Sequence, residues 1–222
     1  MITRTKHIVD LDLIEEATQA FKTNDFKTTL NEPTGSFFYD GWKIKDKYKN
    51  TVWEKLLNTL AIGNYGEARV IKLDIERCYT AHADIDDRWH LSLDRGKHFL
   101  VDLDTLELHS TKLGYWYNMD TSILHSAVNF GDNPRYQLVV RQLLNDAKIL
   151  DSSKVQIIVK GEHSRYKFDS TLSPWLNRAN KDSRLNSFTV NDNIVKFNIP
   201  TDDIEILQQV VPEEFEFTYV RN

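Results

Sequence analysis

His82 and Asp84 are the residues best suited to chemistry, because they stand two apart in the β-like segment YTAHAD at residues 79–84. Side chains two apart on a strand point to the same face, so an imidazole and a carboxylate can reach one metal ion from this segment. His125 lies in a second β-like run, residues 122–129, and supplies a third candidate ligand. Two histidines and one carboxylate on one face of an octahedron leave the opposite positions open, as is typical of oxygen-activating iron(II) centres. The sequence therefore predicts an Fe(II) site at these three residues.

Arg135 follows His125 by ten residues and precedes the β-like run 136–140. A guanidinium at the mouth of a barrel can hold a carboxylate through two parallel hydrogen bonds, which is what anchoring the far end of a dicarboxylic acid demands. A purely structural role stays open for Arg135 and for His125. Arg135 would then pair with a surface acid such as Asp132, and His125 would be a core histidine bonded to the hydroxyl of Ser122 or Ser126.

The elements that would position these residues are two helices followed by short strands. Residues 9–21 have apolar side chains at helical spacing, and a second helix is predicted from Thr51, which forms a capping box with Glu54. After Gly66, runs rich in β-branched and aromatic residues alternate with turns, as in a two-sheet jelly roll. The predicted strands are 68–75, 78–82, 88–93, 98–103, 113–117 and 136–144. We therefore predict a mainly β fold, a double-stranded β-helix (jelly roll, cupin-like) braced by the N-terminal helices.

Beyond about residue 145 the pattern becomes mixed. Strands are predicted at 155–159, 187–190, 194–199 and 215–220, and a helix at 202–211. The turn between the second and third of these strands contains Asn191, Asp192 and Asn193, which tolerate positive φ. The predicted organisation is a jelly-roll domain at 1–147, with the N-terminal helices, and a small α+β appendage at 148–222 to which the sequence assigns no role.

The central stretch, residues 68–144, resembles the aspartyl/asparaginyl β-hydroxylase-like branch of the 2-oxoglutarate- and iron(II)-dependent oxygenases. The motifs that carry the resemblance are His82-x-Asp84, Arg88-x-His90-Leu91-x-Leu93, Trp116 and Asn118 ahead of His125, then Asn129 and Arg135. The best-known animal members of that branch lack the carboxylate ligand, whereas this chain has Asp84 in that position.

By that resemblance, His82, Asp84 and His125 would bind iron, Arg135 would bind the distal carboxylate of 2-oxoglutarate, and Arg88 and His90 would contact its other end. Arg88 could instead pair with an acid such as Asp86 or Asp87. An aromatic pocket from Trp89, Tyr115, Trp116 and Tyr117 would suit the substrate, although buried tryptophans are more often core.

The function that the resemblance implies is a dioxygenase that uses Fe(II), 2-oxoglutarate and O2 to hydroxylate an amino-acid side chain of a peptide or protein, or a small metabolite. Two alternatives stay open. One is a non-catalytic cupin-like module that binds a metal, a sugar or another ligand. The other is a metal-dependent isomerase or dioxygenase that takes no 2-oxoglutarate and forms no succinate.

The composition indicates which partners and which cellular location to expect. The chain has 28 basic and 33 acidic residues and a net charge of -5, so nucleic acid is not expected. No apolar run reaches the roughly 18 to 20 residues of a membrane span, and the first residues lack the apolar run of a signal peptide. Cys78 is the single cysteine and cannot form an internal disulfide. We therefore predict a cytoplasmic protein; the oligomeric state, the substrate, the oxidised position and the oxidative outcome stay open.

Overall fold

The fold was obtained as a computed structural model, and the structure describes residues 2–21 and 27–222. These residues form mostly antiparallel sheets with few helices, so the mainly β prediction is confirmed. The strands are β1 (Ile2–Ile8), β2 (Lys27–Thr29), β3 (Asn31–Pro33), β4 (Trp42–Ile44), β5 (Ala68–Leu73), β6 (Arg88–Ser92), β7 (His98–Asp102), β8 (Glu107–His109), β9 (Tyr115–Met119), β10 (His125–Asn129), β11 (Arg135–Arg141), β12 (Ser152–Ile158), β13 (Asn186–Asn191), β14 (Ile194–Pro200) and β15 (Glu216–Arg221).

The helices are fewer than the strands. They are α1 (Leu11–Ala20), α2 (Val52–Asn58), α3 (Ser164–Lys167), α4 (Ser173–Lys181) and α5 (Ile204–Val210), with 3-10 turns at Asp46–Tyr48 and Thr201–Asp203 and a π-helical turn at Phe168–Leu172. Both predicted N-terminal helices are confirmed. Thr51 caps α2 by accepting a hydrogen bond from the Trp53 N–H, but Glu54 accepts from the Asn50 N–H rather than from Thr51, so the predicted capping box does not form. In the described part of the chain, no helix is long and apolar enough to cross a membrane.

Two sheets form the central part of the molecule. One has six strands in the order β1-β9-β6-β11-β5-β2, and the other has three in the order β10-β7-β8. Residues 78–82 extend the smaller sheet, because Cys78 pairs with Val128 and His82 with His125 beside β10. Following the chain from β5 to β11, successive segments cross between the two sheets, apart from the β7–β8 hairpin. The chain therefore winds around the space between the sheets.

The six-stranded sheet has one apolar face and one polar face. On β6, β9 and β11 the apolar face carries Trp89, Leu91, Trp116, Leu138 and Val140, which pack against α1 and α2. The opposite face of β5, β6 and β11 carries mainly charged and polar side chains: Arg69, Arg88, His90, Arg135, Gln137 and Arg141. Because side chains alternate along a strand, the same three strands supply both a core and the wall of a cavity.

Several strands were not predicted. The N-terminal β1 pairs with β9 at the edge of the large sheet, although its sequence is largely polar. Strands β2, β3 and β4 contain three residues each, which is too short for an alternating pattern to be visible. The strand predicted at 113–117 begins and ends two residues later, at Tyr115 and Met119.

The C-terminal part contains a four-stranded sheet in the order β13-β14-β12-β15. Its predicted strands are confirmed, as is the helix at 202–211, which forms the 3-10 turn and α5. Asp192 has a φ of 51° in the β13–β14 turn, as the sequence predicted. The helices between Ser164 and Lys181 were not predicted. Ile85, from the central part, is buried in the C-terminal apolar core. The boundary at residue 147 stays a prediction.

Candidate metal centre

His82, Asp84 and His125 lie together in a cavity that both central sheets line. One nitrogen or oxygen atom from each residue lies within 4.8 Å of the others. The Nε2 atom of each histidine is 3.7 Å from Oδ2 of Asp84. The structure therefore brings the three predicted ligands together as a group that could hold a metal ion.

The two imidazoles are oriented by their own backbone. The two residues lie opposite each other in antiparallel segments. The His82 N–H donates to the His125 carbonyl oxygen at 3.0 Å, and the His125 N–H donates to the His82 carbonyl oxygen at 2.8 Å. Each ring Nδ1 lies close to the carbonyl oxygen two residues earlier, at 2.7 Å from Thr80 and 2.9 Å from Ile123. A carbonyl oxygen only accepts, so Nδ1 carries the hydrogen and the Nε2 lone pair faces the cavity. His125 thus takes a backbone partner rather than Ser122 or Ser126, the partners of the core-histidine interpretation.

The Asp84 carboxylate has two different oxygens. Oδ1 accepts from Nη2 of Arg88 at 2.7 Å, whereas Oδ2 is buried and has no hydrogen-bond partner among the described residues. Burial opposes ionisation of Asp84, but Arg88 and the two imidazoles outweigh it and hold the pKa of this carboxyl below its ordinary value. Burial lowers the pKa of His125 to about 4, so its ring is neutral at pH 7. A buried anionic oxygen beside two imidazole nitrogens fits a divalent cation.

Arg135 is the second notable buried charge. The residue is only 2% exposed, its Nη2 donates to the Gln137 carboxamide, and its Nε has no hydrogen-bond partner. It forms no ion pair with Asp132 or with another described carboxylate, so the surface-pair interpretation does not hold for it. Burial lowers the pKa of Arg135 to about 10, and it remains a cation at pH 7. Burying an unpaired ion costs several kcal/mol, so an anionic ligand would stabilise this position.

His90 lies between these two features. Arg135 and His125 are both close enough to influence its charge, and burial is the main reason that its pKa falls to about 3. Both ring nitrogens are buried, and their nearest polar neighbour is the Gln137 side chain, which forms at most a poorly aligned hydrogen bond with the ring. Arg88 lies two residues before it on the same face and pairs with Asp84 and, at 3.4 Å, with Asp86. Ligand contacts by Arg88 and His90 stay a prediction.

The cavity has a volume of about 640 Å³, within the ~300–1,000 Å³ that is usual for small-molecule sites. The lining combines the triad, Arg135 and His90 with an apolar wall of Ile71, Leu100, Met119, Ala127 and Val139. The expected aromatic pocket is absent from this lining. Trp116 is fully buried on the helix side of the sheet, where Trp89 also packs. The hydrogen bond from the Trp116 indole N–H goes to Thr59.

Residues from beyond position 147 also reach the site. Asn177 of α4 donates to the carbonyl oxygen of Asp84 at 3.1 Å, and Ala83 N–H donates to the carbonyl oxygen of Asp169 at 3.1 Å. Arg165 and Asp169 line the cavity. No spacing in the sequence indicates these contacts, because they join segments about 90 residues apart; an Arg–Asp pair four residues apart is an ordinary helix feature.

Among solved structures, the chain is similar to an oxidoreductase of the 2OG-Fe(II) oxygenase family from Burkholderia pseudomallei. The TM-score is 0.39 and the sequence identity 11%; the match covers 52% of this chain and 64% of that protein. No family model and no curated protein sequence matches the chain. None of these comparisons supports the aspartyl/asparaginyl branch.

Proposed function

We propose that this protein is a 2-oxoglutarate- and Fe(II)-dependent oxygenase. The observation that carries the proposal is one cavity that holds both halves of such a site. Two imidazole nitrogens and an unpartnered carboxylate oxygen face one point, and a buried arginine without a carboxylate in ion-pair contact among the described residues lies in the same lining. A cation site alone would not explain Arg135, and an anion site alone would not explain Asp84.

We further propose that the two central sheets form a jelly roll. The support is the strand order, in which segments between β5 and β11 cross repeatedly from one sheet to the other. Such a fold presents the ligand-bearing segments 82–84 and 125 next to the polar face of the larger sheet, where Arg135 and His90 lie.

In this proposal, Nε2 of His82, Oδ2 of Asp84 and Nε2 of His125 would hold Fe(II). Iron and 2-oxoglutarate together supply the oxidising chemistry when bound with O2. Arg88 occupies Oδ1 of Asp84 and so leaves that carboxylate a single oxygen for the metal. Thr80 and Ile123 hold the two Nδ1 hydrogens and keep each ring in the tautomer that can bind.

Arg135 binds the distal carboxylate of 2-oxoglutarate through charge-assisted hydrogen bonds, which gain strength because the group is buried. His90, neutral at pH 7, is placed to offer a hydrogen bond to the part of 2-oxoglutarate nearer the metal. The apolar wall excludes water from the remaining space. The reaction we propose is hydroxylation of a small metabolite or an amino-acid side chain; assignment to the aspartyl/asparaginyl branch depends on motif resemblance alone.

The test is calorimetric titration of 2-oxoglutarate into protein loaded with Ni(II), a redox-inert stand-in for Fe(II), and into metal-free protein. We expect binding that requires the metal, is lost in His82→Ala and falls at least about tenfold in Arg135→Gln. His109→Ala is the matched control, because His109 lies on β8 outside the cavity lining.

The alternatives give different results. A cupin-like binding module predicts metal binding that His82→Ala removes, with no affinity for 2-oxoglutarate and no effect of Arg135→Gln. A dioxygenase or isomerase of another kind predicts metal-dependent turnover without succinate. Either result would replace the oxygenase proposal.

A further inference from the structure

We propose that the substrate is a small anion, a carboxylate- or phosphate-bearing molecule whose charged group binds Arg69 and Arg165 at the side of the cavity away from Arg135. This inference rests on the proposed function and specifies its substrate class. The iron triad, His90 and Arg135 account for only part of the lining, and a five-carbon dicarboxylate fills only part of 640 Å³.

The remaining lining carries an excess of positive charge. Arg69 and Lys27 both line it, and both pair with the same carboxylate, that of Glu67; the Lys27–Glu67 distance is 2.6 Å. The single negative charge of Glu67 therefore cannot neutralise both Lys27 and Arg69. Burial is the main reason that the pKa of Arg69 is lowered, and repulsion from Arg88 adds to it. An incoming anion would relieve both effects.

Arg165 adds a cation from the C-terminal part. Its Nε donates to Asp169 at 2.8 Å, and the Asp169 residue is tethered to the metal segment through the Ala83 N–H. The Arg165 side chain is 76% exposed, whereas that of Arg69 is 17% exposed. Arg165 thus stands at the rim and Arg69 inside, which gives an anion a path from solvent into the cavity.

The balance of charge supports an anion over a neutral or cationic substrate. Lys27, Arg69, Arg88, Arg135 and Arg165 line the cavity, against the carboxylates of Asp84 and Asp169. Adding Glu67 behind the wall still leaves an excess of cations. Fe(II) and the two carboxylates of 2-oxoglutarate cancel, so loading the site does not remove this excess. The apolar wall beside the triad suits an aliphatic or aromatic body on the same molecule.

The depth of Arg69 favours a small molecule. A group must enter the cavity to reach a side chain this buried, and His163, Arg165 and Tyr166 of the C-terminal part also line the cavity. His163 has a φ of 58° and precedes α3 directly.

The experiment compares acids with their uncharged amides on protein loaded with Ni(II) and saturating 2-oxoglutarate. The pairs are hexanoate with hexanamide and phenylacetate with phenylacetamide, with phenyl phosphate as the phosphate probe; binding is followed by ligand-observed NMR at millimolar concentration. We expect at least one acid to bind at least about tenfold more tightly than its amide, or phenyl phosphate to bind at least about tenfold more tightly than phenylacetamide. The reason is that a charged group adds charge-assisted hydrogen bonds.

Variants localise the effect. Arg69→Gln and Arg165→Gln should each lower the affinity for the anion by about three- to tenfold, while the affinity for 2-oxoglutarate stays unchanged. Arg178→Gln is the matched control, since Arg178 is an exposed arginine of α4 outside the lining.

Equal binding of acid and amide, no binding by any probe, or anion binding insensitive to both variants would overturn the inference while metal-dependent 2-oxoglutarate binding keeps the oxygenase proposal. Loss of 2-oxoglutarate binding in the parent protein would instead overturn the proposed function.

Discussion

The two faces of the six-stranded sheet differ in what their side chains do, although they belong to the same strands. On β11, Leu138 and Val140 are fully buried against helices, while Arg135, Gln137 and Arg141 on the other face are also buried but polar. Burial of the apolar face stabilises the fold. Burial of the charged groups on the polar face opposes folding, because they lose their contact with water. Stability and chemistry are thus separated by the alternation of a β-strand, and substitutions on the two faces should have different consequences.

The largest loss of stability is expected on the apolar face. Trp116→Ala removes a fully buried indole together with its hydrogen bond to Thr59. We expect the free energy of unfolding to fall by ~3–5 kcal/mol, measured by urea denaturation. The fraction that remains folded should bind metal normally; a variant that keeps parent stability would contradict the assignment of Trp116 to the core.

A matched pair of arginines tests the polar face. Arg141 and Arg135 lie on the same strand and face, but Arg141 donates to Asp86 at 2.8 Å and Arg135 has no carboxylate partner. Arg141→Met should cost up to ~3–5 kcal/mol, the usual penalty for breaking a buried pair. The loss should lie toward the lower end because Arg88 stays 3.4 Å from Asp86.

Arg135→Met should not lower the stability of the metal-free protein, in contrast to Arg141→Met. Replacing a buried unpaired charge with an apolar side chain should leave the metal-free protein as stable as the parent, or stabilise it by ~1–4 kcal/mol, while 2-oxoglutarate binding is lost. Urea denaturation without ligand, set beside calorimetry with ligand, gives both values. If Arg135→Met destabilises the protein as much as Arg141→Met does, then Arg135 has a structural role.

A smaller effect is expected at the contact between the C-terminal part and the metal segment. Asn177→Ala removes the amide that donates to the Asp84 carbonyl. Loss of such a supporting contact typically weakens metal binding by ~10–100-fold, which competition with a chelator would measure. Asn180→Ala is a comparison within α4, because Asn180 bonds to Asn145 rather than to the ligand segment; it should leave metal affinity unchanged.

The smallest effect is expected at the start of α2. Thr51→Ala removes the cap that accepts from Trp53 N–H and should cost ~1 kcal/mol of stability. Because α2 packs only on the apolar face, metal and 2-oxoglutarate affinities should not change. A shift in either affinity would show that the two faces are coupled.

The separation between the faces also explains what the sequence could predict. His82 and Asp84 are two apart, and Arg88 and His90 alternate with Trp89 and Leu91, so period-two patterns indicate which side chains share a face. Helix α2 was predictable because its N-cap threonine and apolar spacing are local. These features depend on residues only a few positions apart.

The rest depends on contacts that leave no local signal. Strand β1 is largely polar and forms because the edge of β9 offers hydrogen bonds, not because its own residues favour burial. The contacts of Asn177 and Asp169 with the metal segment join distant parts of the chain. The resemblance assigns Arg88 to 2-oxoglutarate, whereas its nearest partner in the fold is the proposed metal ligand Asp84. The local sequence pattern does not distinguish these two roles.

The most direct test of the oxygenase account is an anaerobic absorbance titration of the protein with Fe(II) and 2-oxoglutarate. The account predicts a weak visible charge-transfer band that needs both components, is absent in His82→Ala, and is absent in Arg135→Met at 2-oxoglutarate concentrations that saturate the parent. A parent protein that binds Fe(II) without the band, or that binds no Fe(II), would contradict it.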